Sequence, residues 1–269
     1  MASTMTSKIE LRGITQTFHH EQGNFTAVEN VSLDVKEGEF VALIGPSGCG
    51  KSTLLNVVAG LAQPSRGSVI IDGNDFTGRT NPQVGYVFQQ DTVLPWRTVR
   101  DNVLLGLEYR NAAKENRSEL ISRFLTMAGL QGFENYYPYQ LSGGMRRRLA
   151  LVMTLVVEPT VLLMDEPFGA LDAFTKMFIH SELLRIWDQF HQTVLFVTHD
   201  LSEALTLSDR IVIMGARPGH VAAEYEVTLP RPRNVIRLRE DEAFLHQSKE
   251  VWDLLAAELE RQDLQLIKR

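Results

Sequence analysis

Gly45-Pro46-Ser47-Gly48-Cys49-Gly50-Lys51-Ser52 carries two glycines five residues apart, followed at once by a lysine and a hydroxyl residue, the spacing of a phosphate-binding loop. The flanks give it physical meaning. Phe40-Val41-Ala42-Leu43-Ile44 before it reads as a buried strand, and Lys51 to Ala59 after it reads as a helix ending at Gly60. At such a junction the glycines let successive backbone N–H groups curl around the β- and γ-phosphates, where the helix dipole favours negative charge. Lys51 would reach the phosphates and the Ser52 hydroxyl would hold Mg²⁺. Gly45 to Ser52, with Thr53 behind them, are the expected nucleotide contacts. A glycine-rich turn that binds nothing is the plain alternative, and the strand-loop-helix setting argues against it. Cys49, among helix-terminal N–H groups and near Lys51, is expected to have thiolate character.

The composition sets bounds. A chain of 269 residues with 44% hydrophobic content holds one large domain, or one domain with an inserted subdomain. Its net charge of −6 argues against sequence-independent nucleic-acid binding. The basic clusters Arg146-Arg147-Arg148 and Arg231 to Arg239 read as solvated faces. Cys49 is the only cysteine, so no internal disulfide forms, and a reducing cytosol is the expected home. Met1 to Ser7 has no apolar stretch behind it, which speaks against a secretory signal. The longest apolar runs, such as Leu149 to Val157, are far shorter than the ~20 residues of a membrane helix. Membrane association is therefore expected only through a partner.

Short β-branched runs predict strands at Ile9-Ile14, Val31-Val35, Phe40-Ile44, Val69-Ile71, Val84-Phe88, Val161-Met164, Val194-Val197, Arg210-Met214 and Val221-Val227. Several are continuously apolar, as in strands covered on both faces. The helical patterns between them give an α/β domain. Asp172 to Phe190 is the clearest helix, with Phe174, Met177, Phe178, Leu184, Trp187 and Phe190 expected in the core. From about Asp91 to Val157 helices dominate, at Val99-Leu107, Glu115-Ala128 and Gly143-Val157, and predict a helical subdomain inserted into the core. After Pro230-Arg231-Pro232 the strands stop, and Glu242 to Leu259 reads as an amphipathic helix.

Val161-Leu162-Leu163-Met164-Asp165-Glu166 is a buried strand ending in two carboxylates. Asp165 is placed to accept from a water on Mg²⁺, and Glu166 to polarise an attacking water. Phosphoryl transfer asks the protein mainly for positioning and charge stabilisation. A turn or helix cap is the plain alternative, less favoured once a phosphate loop is present. Leu141-Ser142-Gly143-Gly144-Met145 then resembles the signature motif of ATP-binding cassette (ABC) transporter ATPases, and it stands in that family's order. Physically, Ser142, Gly143 and Gly144 open a helix with exposed N–H groups, a second anion site. The resemblance implies that this motif faces ATP held by an opposite subunit, so two chains sandwich two nucleotides. Further motifs resemble the family in order. Gln89 is similar to the glutamine that senses Mg²⁺ and the attacking water. Gly169-Ala170-Leu171-Asp172 resembles the D-loop, and His199 the switch histidine at the γ-phosphate. Phe18 is similar to the aromatic that stacks on adenine, although Phe25 and His19 lie close by. The implied catalytic set is Glu166, His199, Gln89 and Lys51; the implied Mg²⁺ contacts are Ser52, Gln89 and Asp165.

The resemblance covers about Ile9 to Arg233 and implies a P-loop NTPase with a RecA-like core, an antiparallel β portion and the helical insert. The expected domain is 1–233, with 1–90 and 158–233 as the α/β core, 91–157 as the helical subdomain and 234–269 as a helical tail. Gln89-Gln90-Asp91, Leu94-Pro95-Trp96, Ala173-Phe174-Thr175 and Arg217-Pro218-Gly219 resemble the importer branch for nitrate, sulfonate and taurine, and related importers for nitriles, pyrimidines or bicarbonate share these segments. That branch implies ATP and Mg²⁺ as cofactors. It also implies a membrane permease, a second ATPase subunit (identical or paralogous), an extracytoplasmic binding protein and the cytoplasmic face of the inner membrane. Leu94-Pro95-Trp96 is expected to help receive a permease helix, with packing of Trp96 inside the insert as the alternative. Two departures stand out: Arg147 replaces an expected glutamine, and Leu151-Val152-Met153-Thr154-Leu155 stands where an Ala-Arg-Ala-Leu-like segment is typical. A soluble cassette of translation or DNA repair would carry tandem cassettes or long coiled coils, which this chain lacks. A regulatory module without turnover is disfavoured by intact Lys51, Asp165, Glu166 and His199.

Overall fold

A computed structural model describes residues 7–20, 23–90, 92–109, 114–169 and 171–267, excepting the side chains of His20, Lys114, Glu115 and residues 262–267. Asp91 and Ala170 lie outside the described residues. The strands are β1 (Ser7–His20), β2 (Gly23–Lys36), β3 (Phe40–Ile44), β4 (Arg66–Ile71), β5 (Asn74–Asp75), β6 (Val84–Val87), β7 (Val161–Asp165), β8 (Thr193–Val197), β9 (Arg210–Gly215) and β10 (His220–Glu226). The helices are α1 (Lys51–Val58), α2 (Val99–Tyr109), α3 (Lys114–Met127), α4 (Gly143–Leu155), α5 (Ala173–Phe190), α6 (Leu201–Leu207) and α7 (Glu242–Ile267).

One sheet runs β10-β9-β3-β8-β7-β6, with β3, β6, β7, β8 and β9 parallel and β10 antiparallel at its edge. Side chains alternate across a strand, so its two faces belong to different packing layers. Phe40, Ala42 and Ile44 of β3, Leu162 and Met164 of β7, and Val194 and Phe196 of β8 face one core, shared with the helices α2 to α7. Val41, Leu43, Leu163, Leu195 and Val197 face the other, shared with α1 and the strands of a second sheet. That sheet is antiparallel, in the order β2-β1-β4-β5. Burial on both sides explains why the parallel strands are continuously apolar. Each fully buried large side chain there contributes about 1.5–3 kcal/mol.

The parallel strands all end at one edge of their sheet, where α/β proteins hold ligands. Ile44 leads into the glycine loop, Val87 into Phe88 and Gln89, β7 ends at Asp165, and Val197 leads to His199. The helices α2 to α4 fall between β6 and β7 in the chain.

Several elements depart from the sequence expectation. The hairpin strands β1 and β2 are 14 residues each, longer than their apolar runs, because they pair outward to His20 and Gly23. The short helix α6 has no signal in the pattern, being a two-turn segment capped by Asp200. In α5, Leu184 and Trp187 are buried as expected, but Phe174 and Phe178 are 81% and 46% exposed. Phe174 lies nine residues, two and a half turns, from buried Leu183, and so on the opposite side of the helix. In α7, Phe244 and Val251 are buried while Leu245, Trp252 and Leu259 are exposed. The basic clusters are also not simply solvated. Arg233 is buried, and its guanidinium donates to the carbonyls of Leu205, Thr206 and Ser208 at the C-terminal end of α6. Arg147 is buried as well.

Candidate nucleotide site

The loop between β3 and α1 is shaped by backbone that only glycine supplies without strain. Gly45 has φ +153°, and a Cβ there would stand 2.3 Å from the Met214 carbonyl oxygen. Gly50 has φ +89°, and a Cβ there would stand 2.4 Å from Val28 Cγ1. Lys51 is buried with its ammonium turned onto the loop, donating to the carbonyls of Gly45 at 2.8 Å and Pro46 at 2.9 Å. The Ser52 hydroxyl donates to Asp165 Oδ1 at 2.9 Å, tying the start of α1 to the end of β7. Burial pushes the Asp165 carboxyl up; the Ser52 hydrogen bond pulls it down, neighbouring Glu166 pushes it up, and Lys51 and Arg147 pull it down.

Glu166, one residue beyond, is where three strand ends converge. Gln89 Nε2 donates to Glu166 Oε2 at 3.2 Å, and His199 Nδ1 lies 3.4 Å from the same oxygen. Gln89 thus meets Glu166 rather than the Ser52–Asp165 pair. Glu166 itself sits at φ +44°, a left-handed conformation that costs a non-glycine residue about 1–3 kcal/mol and collects at functional sites. Its N–H donates to the Val197 carbonyl at 3.0 Å, which anchors it to β8.

The signature residues occupy the start of α4. Ser142 is the N-cap, its Oγ accepting from the Met145 N–H at 3.3 Å, and Ser142 and Gly143 are exposed. Asp172 similarly caps α5, accepting from the N–H groups of Phe174 and Thr175; hydrogen bonding from the Thr175 side chain, then from the Thr175 N–H, holds its carboxyl below the usual carboxylate range against the opposing effect of burial. Phe18 and Phe25 are register partners on the β1–β2 hairpin, 40% and 55% exposed, so two aromatics rather than one present themselves there.

The ABC transporter family profile matches residues 28–169, more than half of the chain. This chain belongs to the ABC transporter family. It is 44% identical over 255 residues to an uncharacterized ABC transporter ATP-binding protein of Methanocaldococcus jannaschii, covering 95% of this chain and 94% of the other. It is 42% identical over 226 residues to the aliphatic sulfonates import ATP-binding protein SsuB of Bacillus thuringiensis, covering 84% and 88%. Among solved structures it resembles the ATP-binding cassette MJ0796 in a dimeric post-hydrolysis state bound to ADP and Pi. That match has a TM-score of 0.75 and 34% identity, and covers 82% of this chain and 100% of the other. The chain is thus an ATP-binding ATPase subunit of an ABC transporter, built as a P-loop NTPase.

In this cassette the Cys49 expectation fails. Its side chain is fully buried, and desolvation pushes the thiol up, outweighing the lowering effect of Lys51 only 3.5 Å away. Trp96 does not pack inside the insert either; it is 71% exposed. The residue that sequence reasoning misplaced is Arg147, which bonds to backbone at the ends of both β6 and β7. Among the described residues no helix is long and apolar enough to cross a membrane.

Proposed function

We propose that this cassette powers an importer for a small anionic or polar solute of the nitrate, sulfonate or taurine kind. Two cassettes would work beneath a membrane permease on the cytoplasmic face, fed by an extracytoplasmic binding protein. The observation that carries the ATPase chemistry is the meeting of Gln89 and His199 on one oxygen of Glu166, beside the Lys51 loop. Glu166 is the base that orients and polarises the attacking water. Gln89 fixes that carboxylate's rotamer, and His199 reaches from it to the γ-phosphate. Lys51 exchanges the Gly45 and Pro46 carbonyls for the β- and γ-phosphate oxygens, a swap of one set of oxygen acceptors for another. Positioning and electrostatic stabilisation of this kind carry phosphoryl transfer.

The donor set suits Mg²⁺. Ser52 Oγ and Asp165 Oδ1 present a hydroxyl and a carboxylate within 2.9 Å of each other, the few hard oxygen ligands that Mg²⁺ takes alongside phosphate and water. Ser52 would hold it directly, Asp165 through water, with Gln89 at the margin; when bound, Mg²⁺ neutralises charge on the phosphates. Ser142, Gly143, Gly144 and Asp172 would complete the site of a second copy, and Phe18 would stack on adenine. The importer branch is supported by the likeness to SsuB and by exposed Trp96 in the segment after Gln89.

The test is ATP-dependent uptake of labelled taurine or an alkanesulfonate by vesicles carrying this chain with a permease and a binding protein of that importer class. We expect Trp96→Ala to leave folding and ATP binding intact and to cut uptake about tenfold or more, as loss of an interface anchor does. Unchanged uptake removes Trp96 from coupling. ATP turnover with no uptake of nitrate, sulfonate or taurine removes the substrate class.

A further inference from the structure

Arg147 stands on α4, five residues beyond Ser142, with its side chain turned into the protein. It is 4% exposed, and its guanidinium donates to three backbone carbonyls: Phe88, Glu166 at 3.1 Å and Pro167 at 2.6 Å. These acceptors belong to two separate strand ends. Phe88 directly precedes Gln89, and Glu166 is the carboxylate that Gln89 contacts. A second bond lies on the same face of α4. Thr154, seven residues or two turns on, shares its hydroxyl proton between the Tyr86 carbonyl and the Ala150 carbonyl of its own helix, both at 3.3 Å. Tyr86 and Phe88 are two residues apart, so their carbonyls leave the strand on the same side. That side is the free edge of β6, the last strand of its sheet. Arg147 and Thr154 both bond the same seam.

We propose that Arg147 is a positioning residue for hydrolysis, joining the signature helix, the Gln89 segment and the Glu166 turn into one body. A single planar guanidinium presents five donors in a fixed fork, enough for three carbonyls at once. A glutamine amide has two donors, too few for three carbonyls. The fork also holds the two carbonyls that follow the left-handed Glu166 backbone, whose φ of +44° aims the carboxylate at Gln89 and His199. Displacing α4 therefore displaces Glu166. This inference rests on the ATPase reading above.

The test compares wild type, Arg147→Met and Arg147→Lys in the full chain, by steady-state ATP hydrolysis, fluorescent-nucleotide titration and thermal melting. Met keeps the stem and removes every donor, and Lys keeps the charge with a point-like head. We expect Arg147→Met to lower kcat about 10- to 100-fold, the scale of a small misplacement of reacting groups. KM and nucleotide affinity should stay within about threefold, with Lys intermediate in kcat. A merely structural role would move melting and affinity together with rate. Should Arg147→Met fail to fold, Arg147→Lys decides: reduced kcat at wild-type KM supports the proposal. Wild-type kcat in either variant overturns it, as does a raised KM with kcat preserved. Absence of turnover in the wild type would instead remove the ATPase reading, and this proposal with it.

Discussion

The strand-end cluster and the signature face are built from the same kinds of residue and differ in what their polar groups touch. At the strand ends, each of these side chains already has a partner, within the loop for Lys51 and across the fold for the others. Lys51 holds the loop carbonyls, Ser52 holds Asp165, and Gln89 and His199 share Glu166. At the starts of α4 and α5, the side chains of Ser142 and Asp172 cap the first turns of their own helices, beside exposed Gly143 and Phe174. One region is organised by its own chain. The other is a pair of capped, exposed helix starts. On the reading proposed above, in which a second copy completes the site, one half-site is preformed and the other is borrowed.

The largest effect should come from breaking the preformed half. Lys51→Ala removes the one ammonium in the loop and should lower ATP hydrolysis about 10²- to 10³-fold, the scale for loss of a preorganised charge-stabilising donor. The Ser52–Asp165 and Gln89–Glu166 contacts should persist, so melting should change little. Turnover at the wild-type rate in a folded Lys51→Ala protein would show that the loop is not the phosphate site.

The preformed half was legible in the sequence because its requirements are local. Gly45 and Gly50 answer to the backbone of one turn, and the carboxylates of Asp165 and Glu166 follow one apolar strand. Arg147 was not legible for the opposite reason. Its acceptors at Phe88 and at Glu166–Pro167 come from segments about 60 residues before and 20 residues after it, and within Arg146-Arg147-Arg148 nothing distinguishes the buried arginine. Phe174 and Phe178 show a related limit. Apolarity in a helix suggests burial, yet only packing decides which side of α5 faces the core. Cys49 failed for a third reason: proximity to Lys51 is visible in sequence, but the desolvation that outweighs it is not.

A smaller effect sharpens the comparison through α5, which carries Asp172 at its exposed start and buries His180 behind the strand-end cluster. His180 packs edge-on against Phe168 with ring centroids 4.5 Å apart, two residues after Glu166. Burial, then Lys176, drives its pKa down to about 4, with Asp200 opposing and Arg239 adding to the fall. A base whose folded pKa lies below the unfolded value of ~6.5 takes up protons preferentially when unfolded. Its contribution is therefore complete above pH 6.5 and lost as pH falls toward 4. At about 1.4 kcal/mol per pH unit, the loss between pH 7 and pH 5 is about 2 kcal/mol. Asp165, raised in the fold, works in the other direction, so the comparison must be made against His180→Leu, which lacks the titrating ring. Urea unfolding at the two pH values should show the wild type losing about 2 kcal/mol more than the variant. Equal losses would mean that His180 is charged in the folded protein.

The central claim, that the exposed half-site serves a second copy, is tested most directly by light scattering of Glu166→Gln with saturating ATP. This variant keeps the hydrogen bonding of the carboxylate and loses its charge, so ATP should bind, turn over slowly and hold two chains together. Adding Ser142→Arg, which fills the exposed start of α4, should leave nucleotide bound with unchanged affinity by the single chain while the mass stays that of a monomer. A doubled mass in the Glu166→Gln/Ser142→Arg protein, or loss of ATP binding by the single chain, would contradict the account.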